Sequence, residues 1–205
     1  MKKTVALILV LTLAVLGLSS CGIMAVPINF ALNLVLGTSL ASTTSTTPDY
    51  EGEPERFSYA GLEITLTDAF ALNEEYDNGA VFIGENGTTV YLIHFPYTST
   101  PYEAGKSAEE YAEAMREEYK NSTGEANALY TVEIGEVTRE GELVYFSHKT
   151  KIIVDVADAL FFVYVTPSAV FAVEIIVSSA QFENYRPHIF EWARTVKYNN
   201  PGASA

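Results

Sequence analysis

Two neighbouring runs decide the fold: Ala159-Leu-Phe-Phe-Val-Tyr-Val165 and Ala169-Val-Phe-Ala-Val-Glu-Ile-Ile-Val177, with Pro167-Ser168 between them. Both are rich in β-branched and aromatic residues and bounded by turn chemistry, so they read as strands. A strand with one wet face alternates apolar and polar residues. These two carry apolar residues on both faces and need cover above and below. The pattern argues for helices on both sides of a central sheet and against a sandwich with a solvated face.

Upstream, residues 129–138 and 142–156 read as further strands, punctuated by Glu140-Gly141 and Ala157-Asp158. Downstream, Asn184 to Arg194 places Tyr185, Ile189, Trp192 and Ala193 at helical spacing, and Pro187 is tolerable in the opening turn. A short strand, Thr195 to Tyr198, closes the pattern. Farther upstream, Ser107 and Glu110 have the spacing of a capping box. Ala108, Tyr111, Ala112, Met115 and Tyr119 recur behind it on one helical face. Glu109 and Glu110 stand near the positive end of this helix, with Arg116 and Lys120 toward the negative end. Before it, residues 79–84 and 88–95 flank Glu85-Asn86-Gly87, a hairpin signal. Leu62, Ile64 and Leu66 alternate with Glu63 and Thr65 in a half-buried strand. Residues 57–198 therefore form one globular domain, and residues 199–205 a polar tail.

The order is hairpins, helix, antiparallel strands, helix, short strand. With the opening FSYAGLEITLTDAF (57–70), the SAEEYAEAM helix (107–115) and the closing FEWARTVKY (190–198), it resembles the PsbP-like superfamily. That superfamily includes extrinsic photosystem proteins and bacterial lipoproteins of the DcrB type. The resemblance implies an α+β fold, an α/β/α sandwich around an antiparallel sheet. It also implies a non-enzymatic binding or accessory role, and it transfers no site residue.

Ahead of the domain, residues 38–56 (TSLASTTSTTPDYEGEPER) read as a solvated tether, and residues 23–37 as an apolar segment interrupted by Pro27, Asn29 and Asn33. That segment is expected to lie at the bilayer surface or to contact the domain. Residues 1–20 read as a signal peptide: Lys2 and Lys3, then the apolar stretch 4–18, too short for a comfortable permanent span. Leu18-Ser19-Ser20-Cys21 resembles the lipobox of bacterial lipoproteins, and Cys21 is the only cysteine of the chain. Lipidation of Cys21 is the expectation; the competing reading is an uncleaved signal anchor. The lipid would hold residues 21–56 and the domain on a cell membrane or an outer membrane, facing away from the cytoplasm.

Composition narrows the partners. The chain has 205 residues, 48% hydrophobic and 19% charged, with a net charge of −14. Loss of Lys2 and Lys3 with the signal peptide makes it −16. Such a surface repels phosphate backbones and anionic headgroups, so nucleic acid is not expected as a partner and a covalent anchor is. A single cysteine excludes an intramolecular disulfide and a Cys-based zinc site.

Chemistry is sparse. Gly105-Lys106-Ser107 ends like a phosphate-binding loop, but Thr100 stands where the first glycine belongs. His94, His148 and His188 lack metal-ligand spacing, and no Gly-x-Ser-x-Gly elbow occurs. Glu74, Glu75, Asp77 and Asn78 cluster on a turn without a calcium-loop spacing. No metal or cofactor is expected. Phe95, Tyr97 and Tyr102, in the loop FPYTSTPY, are the candidate recognition residues, since rigid tyrosines bury area at little entropy cost. The alternative is that both tyrosines fold back on the sheet edge. Three roles remain: a module binding an envelope protein or small ligand, an envelope hydrolase whose carboxylate and histidine meet from distant strands, or a structural spacer.

Overall fold

The computed structural model describes residues 48–98, 102–122, 130–152 and 155–199. The first elements are β1 (Pro54–Tyr59), β2 (Leu62–Thr67), β3 (Phe70–Tyr76), β4 (Gly79–Gly84) and β5 (Thr89–Pro96). Then come α1 (Ala108–Ser122), β6 (Tyr130–Ile134), β7 (Thr138–Glu140), β8 (Leu143–Ile152), β9 (Asp155–Val165) and β10 (Ala169–Ser178). The described chain ends with α2 (Phe182–Arg194) and β11 (Lys197–Tyr198). The main sheet has eight antiparallel strands in the order β3-β4-β5-β10-β9-β8-β6, with β7 also paired to β8. The second sheet has three, in the order β1-β2-β11.

The two deciding runs are the middle of the main sheet. β10 is buried at every position except Ser178, and β5 and β9 flank it along nearly its whole length. Its odd residues, Ala169 to Val177, join Leu92, Phe162, Ile189 and Trp192 in one core. Its even residues face the other way, toward α1, which lies on β8 and β9. The expected two-sided cover is present, with one refinement. On the α2 side the helix shares the work with the small sheet, whose Leu62, Ile64 and Leu66 enter the same core. One face is roofed by a helix, the other by a helix and a sheet.

Local chemistry explains the boundaries. The capping box forms as expected: Ser107 N–H donates to Glu110 Oε2 at 2.7 Å, and Glu110 N–H to Ser107 Oγ at 3.2 Å. The C-terminus of α2 is closed by Thr195, whose hydroxyl donates to the Trp192 carbonyl at 2.7 Å and accepts from Thr65 N–H at 2.8 Å. Thr195 is thus a cap, and the closing strand is only Lys197–Tyr198. The β1–β2 hairpin turns through Ala60 and Gly61, both at positive φ, as a two-residue turn with the right twist requires.

Several boundaries differ from the sequence reading. The tether reaches less far than residue 56. β1 starts at Pro54 and Asp49 is fully buried, because the glutamates at 51, 53 and 55 stay outside while Asp49 finds partners inside. The stretch 129–138 is two strands broken at Gly135, where a Cβ would stand 2.4 Å from Ser147 Oγ. Ala157-Asp158 is no turn: β9 begins at Asp155, and Asp158 pairs with Lys149 across the ladder at 3.5 Å. β3 carried no strand signal because it is an edge strand, exposed from Ala71 to Glu75 and bulged between Leu72 and Glu74. Glutamates and a bulge on such an edge oppose pairing with another chain.

Phe171 is fully buried at the centre of β10 and stacks on His94, with ring centroids 4.7 Å apart. Phe171→Ala should lower unfolding free energy by about 3–5 kcal/mol. Urea denaturation followed by Trp192 fluorescence measures this; a loss below about 1 kcal/mol contradicts the two-sided core.

Candidate functional site

The interior beneath α1 holds the most chemically loaded group of side chains among the described residues. Glu174 is the one acid in the run AVFAVEIIV, and its even position turns it toward α1 rather than toward the main core. His148, on β8, faces the same side. Ala159, opposite His148 on the intervening β9, leaves room for the two side chains to meet over the strand. Glu174 Oε1 lies 2.6 Å from His148 Nε2. Tyr119, reaching down from α1, donates its hydroxyl to the same carboxylate oxygen at 3.3 Å and stands 3.4 Å from His148 Nε2. Thr150 Oγ1 is 3.4 Å from His148 Nδ1. The side chains of His148 and Glu174 are each only 1% exposed.

A carboxylate orienting an imidazole, with a tyrosine alongside, is the composition of an acid–base relay. This is the juxtaposition the hydrolase reading asks for, made from residues 26 apart in sequence. Its setting differs from that of a relay. Tyr119 covers it, and Phe146 and Phe161 flank it, with their rings and that of Tyr119 in mutual contact. With side chains 1% exposed, neither His148 nor Glu174 is open to solvent in the described arrangement. The pair ties the helix to the sheet, and burial makes that tie matter: a carboxylate or imidazole left alone there is costly. Glu174 Oε2 has no hydrogen-bond partner among the described residues. Arg116 makes a second tie from α1. Its Nε donates to the Gly135 carbonyl at 2.6 Å, and its other nitrogens pair with Glu113, Glu117 and Glu136.

The outer side of α2 is the candidate binding face. Two adjoining hollows of about 410 and 480 Å³ run along it and against the β7–β8 hairpin. Arg194 lines both and pairs with Glu140 at 2.9 Å. The guanidinium groups of Arg186 and Arg194, one turn before and one turn after Phe190, each lie 5.7 Å from its ring centroid. The second hollow is floored by Leu143, Tyr164 and Val196. Nothing in the sequence singled out this face, since its residues come from α2, the β7–β8 hairpin and β9, and a helical spacing of Arg, Phe and Arg reads as an ordinary amphipathic surface.

The expected recognition loop behaves differently. Tyr102 is 7% exposed, donates its hydroxyl to Glu118 at 2.7 Å and meets Phe95 and Tyr111 edge-on. Burial, aided by the Glu118 carboxylate, raises its pKa far above the ordinary phenol value. Tyr97 is half-buried, bonds the Thr166 carbonyl at 3.1 Å and stacks on Tyr111, and its pKa is pushed up to about 12, first by burial. Tyr97 and Tyr102, with Phe95, fold inward to seat the N-terminal end of α1. The contacts described for Tyr97 and Tyr102 are with the chain itself, and Phe95 and Tyr97 stay half-exposed. Residues 99–101 of that loop lie outside the described set.

The three histidines are placed apart. His94 stacks on Phe171, and burial lowers its pKa. His148 is sealed, and His188 sits on α2 beside Glu191 at 3.2 Å. Glu74 donates no ligand set: it accepts from Tyr76 at 2.7 Å, and no group of three His, Cys, Asp or Glu able to hold a metal occurs among the described residues. Gly105-Lys106-Ser107 is the helix cap already described. Residues 1–47, which include Cys21 and the stretch expected to be a signal peptide, lie outside the described residues.

No protein-family model and no curated protein sequence matches this chain. Among solved structures, the chain is similar to cyanobacterial PsbP (CyanoP) from Synechocystis. The TM-score is 0.51 at 12% identity, covering 78% of this chain and 99% of that one. Two looser likenesses are a protein of Bacteroides thetaiotaomicron and the Ran-binding protein Mog1p of Saccharomyces cerevisiae. The first has a TM-score of 0.46 at 12% identity, over 75% of this chain and 51% of that one. The second has a TM-score of 0.49 at 8% identity, over 71% and 95%. The described domain therefore has a PsbP-like α+β fold, an antiparallel sheet with helices on its two faces.

Glu174→Ala strands His148 in the interior and should destabilise the domain by about 3–5 kcal/mol. The double replacement Glu174→Leu with His148→Phe should cost distinctly less, because it removes both polar groups together. Chemical denaturation of the three proteins decides it. A double variant as damaged as Glu174→Ala contradicts the role of the pair as a tie.

Proposed function

We propose that the protein is a lipid-anchored lipoprotein of the bacterial envelope, whose PsbP-like domain is a non-enzymatic binding or accessory module outside the cytoplasm. The observation that carries the anchor is the alignment of three signals in one place. A basic start at Lys2-Lys3 precedes an apolar run over 4–18, and Leu18-Ser19-Ser20-Cys21 follows with the only cysteine of the chain. A processed chain with a net charge of −16 gains nothing from anionic headgroups, and a covalent lipid supplies the attachment that charge does not.

The binding role draws on the placement of polar groups. The His148–Glu174 pair is spent on holding α1, while the hollows along α2 present Arg186, Arg194 and an apolar floor to solvent. A module that recognises an envelope protein or a small ligand uses such a mixed face. The PsbP-like fold is compatible with this role, and the DcrB-type lipoproteins that the sequence resembles place the same kind of domain behind a lipidated cysteine.

Growth of an expressing bacterium with an alkyne-bearing fatty acid, followed by click detection on the purified protein, tests the anchor. The wild-type chain should carry label and migrate as a processed form. Cys21→Ala should carry none and accumulate as precursor. Label on Cys21→Ala, or none on the wild type, overturns the proposal.

A further inference from the structure

The segment that joins the tether to the domain is seated deeply for a linker. Pro48 to Glu51 forms a turn closed by Glu51 N–H donating to the Pro48 carbonyl at 2.9 Å. Asp49 in its middle is fully buried. Its N–H donates to Tyr185 Oη of α2 at 3.1 Å, its carbonyl accepts from the Thr67 hydroxyl of β2, and its Oδ1 accepts from Asn86 N–H of the β4–β5 hairpin at 2.9 Å. Asn86 Nδ2 donates to the same Tyr185 oxygen at 3.0 Å. Gly84 completes the seat. A Cβ there would stand 2.5 to 2.7 Å from the Asp49 carboxylate atoms, so only glycine leaves the space. Tyr50 then lies flat on His188 at 4.1 Å and edge-on to Tyr185 at 5.3 Å. Three separate elements thus hold two consecutive residues of what reads as linker.

We propose that Asp49 and Tyr50 form a clamp that pins the tether to the domain between α2 and the β4–β5 hairpin, so that pull from the membrane is borne there and not by the β1–β2 ladder. This rests on the anchored reading of the protein. The mechanical reason is the position of β1, the outer strand of a three-stranded sheet, whose six residues pair with β2 alone. Tension applied directly at Pro54 would peel it one ladder bond at a time. Tension arriving at Asp49 must first extract a buried carboxylate and a stacked ring.

The clamp also responds to protons. The charged and titratable groups facing it are Glu85 at the hairpin, Tyr185 on α2, and the His188–Glu191 pair behind Tyr50; Thr67 faces it from β2 without charge. Burial, the largest influence, raises the Asp49 pKa against the hydrogen bonds of Thr88 and Asn86, and the Glu85 charge adds to the rise. A carboxyl whose pKa is higher in the seated state than when released is held more tightly as pH falls, and that extra hold is lost as pH rises through the seated value.

Glu51 is the first glutamate of the chain, so cutting by a glutamyl endopeptidase after it reports on the clamp in the full-length protein. The wild type should be cut there at least tenfold more slowly than Asp49→Ala or Gly84→Ala, with near-ultraviolet dichroism of the domain kept in all three. Hydrogen exchange at the Asp49 and Glu51 amides, corrected for its intrinsic pH dependence, should slow in the wild type as pH is lowered from neutral toward the ordinary carboxyl range. In Asp49→Asn it should stay flat, and His188→Gln should keep the wild-type trend. Wild-type cutting after Glu51 as fast as in the variants overturns the clamp, and so does equal pH response in Asp49→Asn. Failure of Cys21 lipidation would overturn the anchor and leave these local measurements unchanged, so the two claims fall separately.

Discussion

The structure depends on burying β9 and β10 from both sides at once. A strand that is apolar on each face has no stable place at a surface, so the chain must supply two roofs. It supplies α1 above, and α2 with the three-stranded sheet below. Everything else is arranged to keep those roofs seated. The capping box fixes where α1 starts, the inward-turned Phe95, Tyr97 and Tyr102 hold its first turn, and Arg116 bridges it to the Gly135 break. Thr195 fixes where α2 stops and ties it to β2.

Polar groups in such an interior are a cost unless they are paired, and the two deepest acids solve this differently. Glu174 shares one oxygen between His148 and Tyr119, making the union of helix and sheet specific in register as well as greasy. Asp49 is met by hydrogen-bond partners from three elements and so fastens a stretch of chain that would otherwise trail. Neither arrangement presents a reactive group to solvent. The face that does offer mixed chemistry is the outer side of α2, where Arg186 and Arg194 bracket Phe190.

How much of this was legible in the sequence follows from what each feature depends on. The central strands, both helices and the α1 cap rest on periodicity and local spacing, and they were read correctly to within a few residues. β3 was missed because both its faces are wet and it therefore lacks any hydrophobic period. The turn placed at Ala157-Asp158 failed for a related reason: Asp158 looks like a breaker but is satisfied across the ladder by Lys149. The buried pair of His148 and Glu174 was invisible as a pair, since no local rule brings residues 26 apart to 2.6 Å. One trace of it existed, a lone glutamate inside AVFAVEIIV, where a buried acid demands a partner. The tyrosines of the loop after β5 were visible but ambiguous, because an aromatic side chain that packs inward and one that recognises a partner carry the same signature.

The central claim is that this acidic α+β domain hangs from a lipid on one sulfur atom. Intact-mass analysis of the protein extracted from bacterial membranes tests it most directly. The account predicts a chain beginning at Cys21 and heavier than its peptide mass by a diacylglyceryl group, with or without an added amide-linked acyl chain. A chain that still begins at Met1, or one that begins at residue 21 with an unmodified thiol, contradicts it.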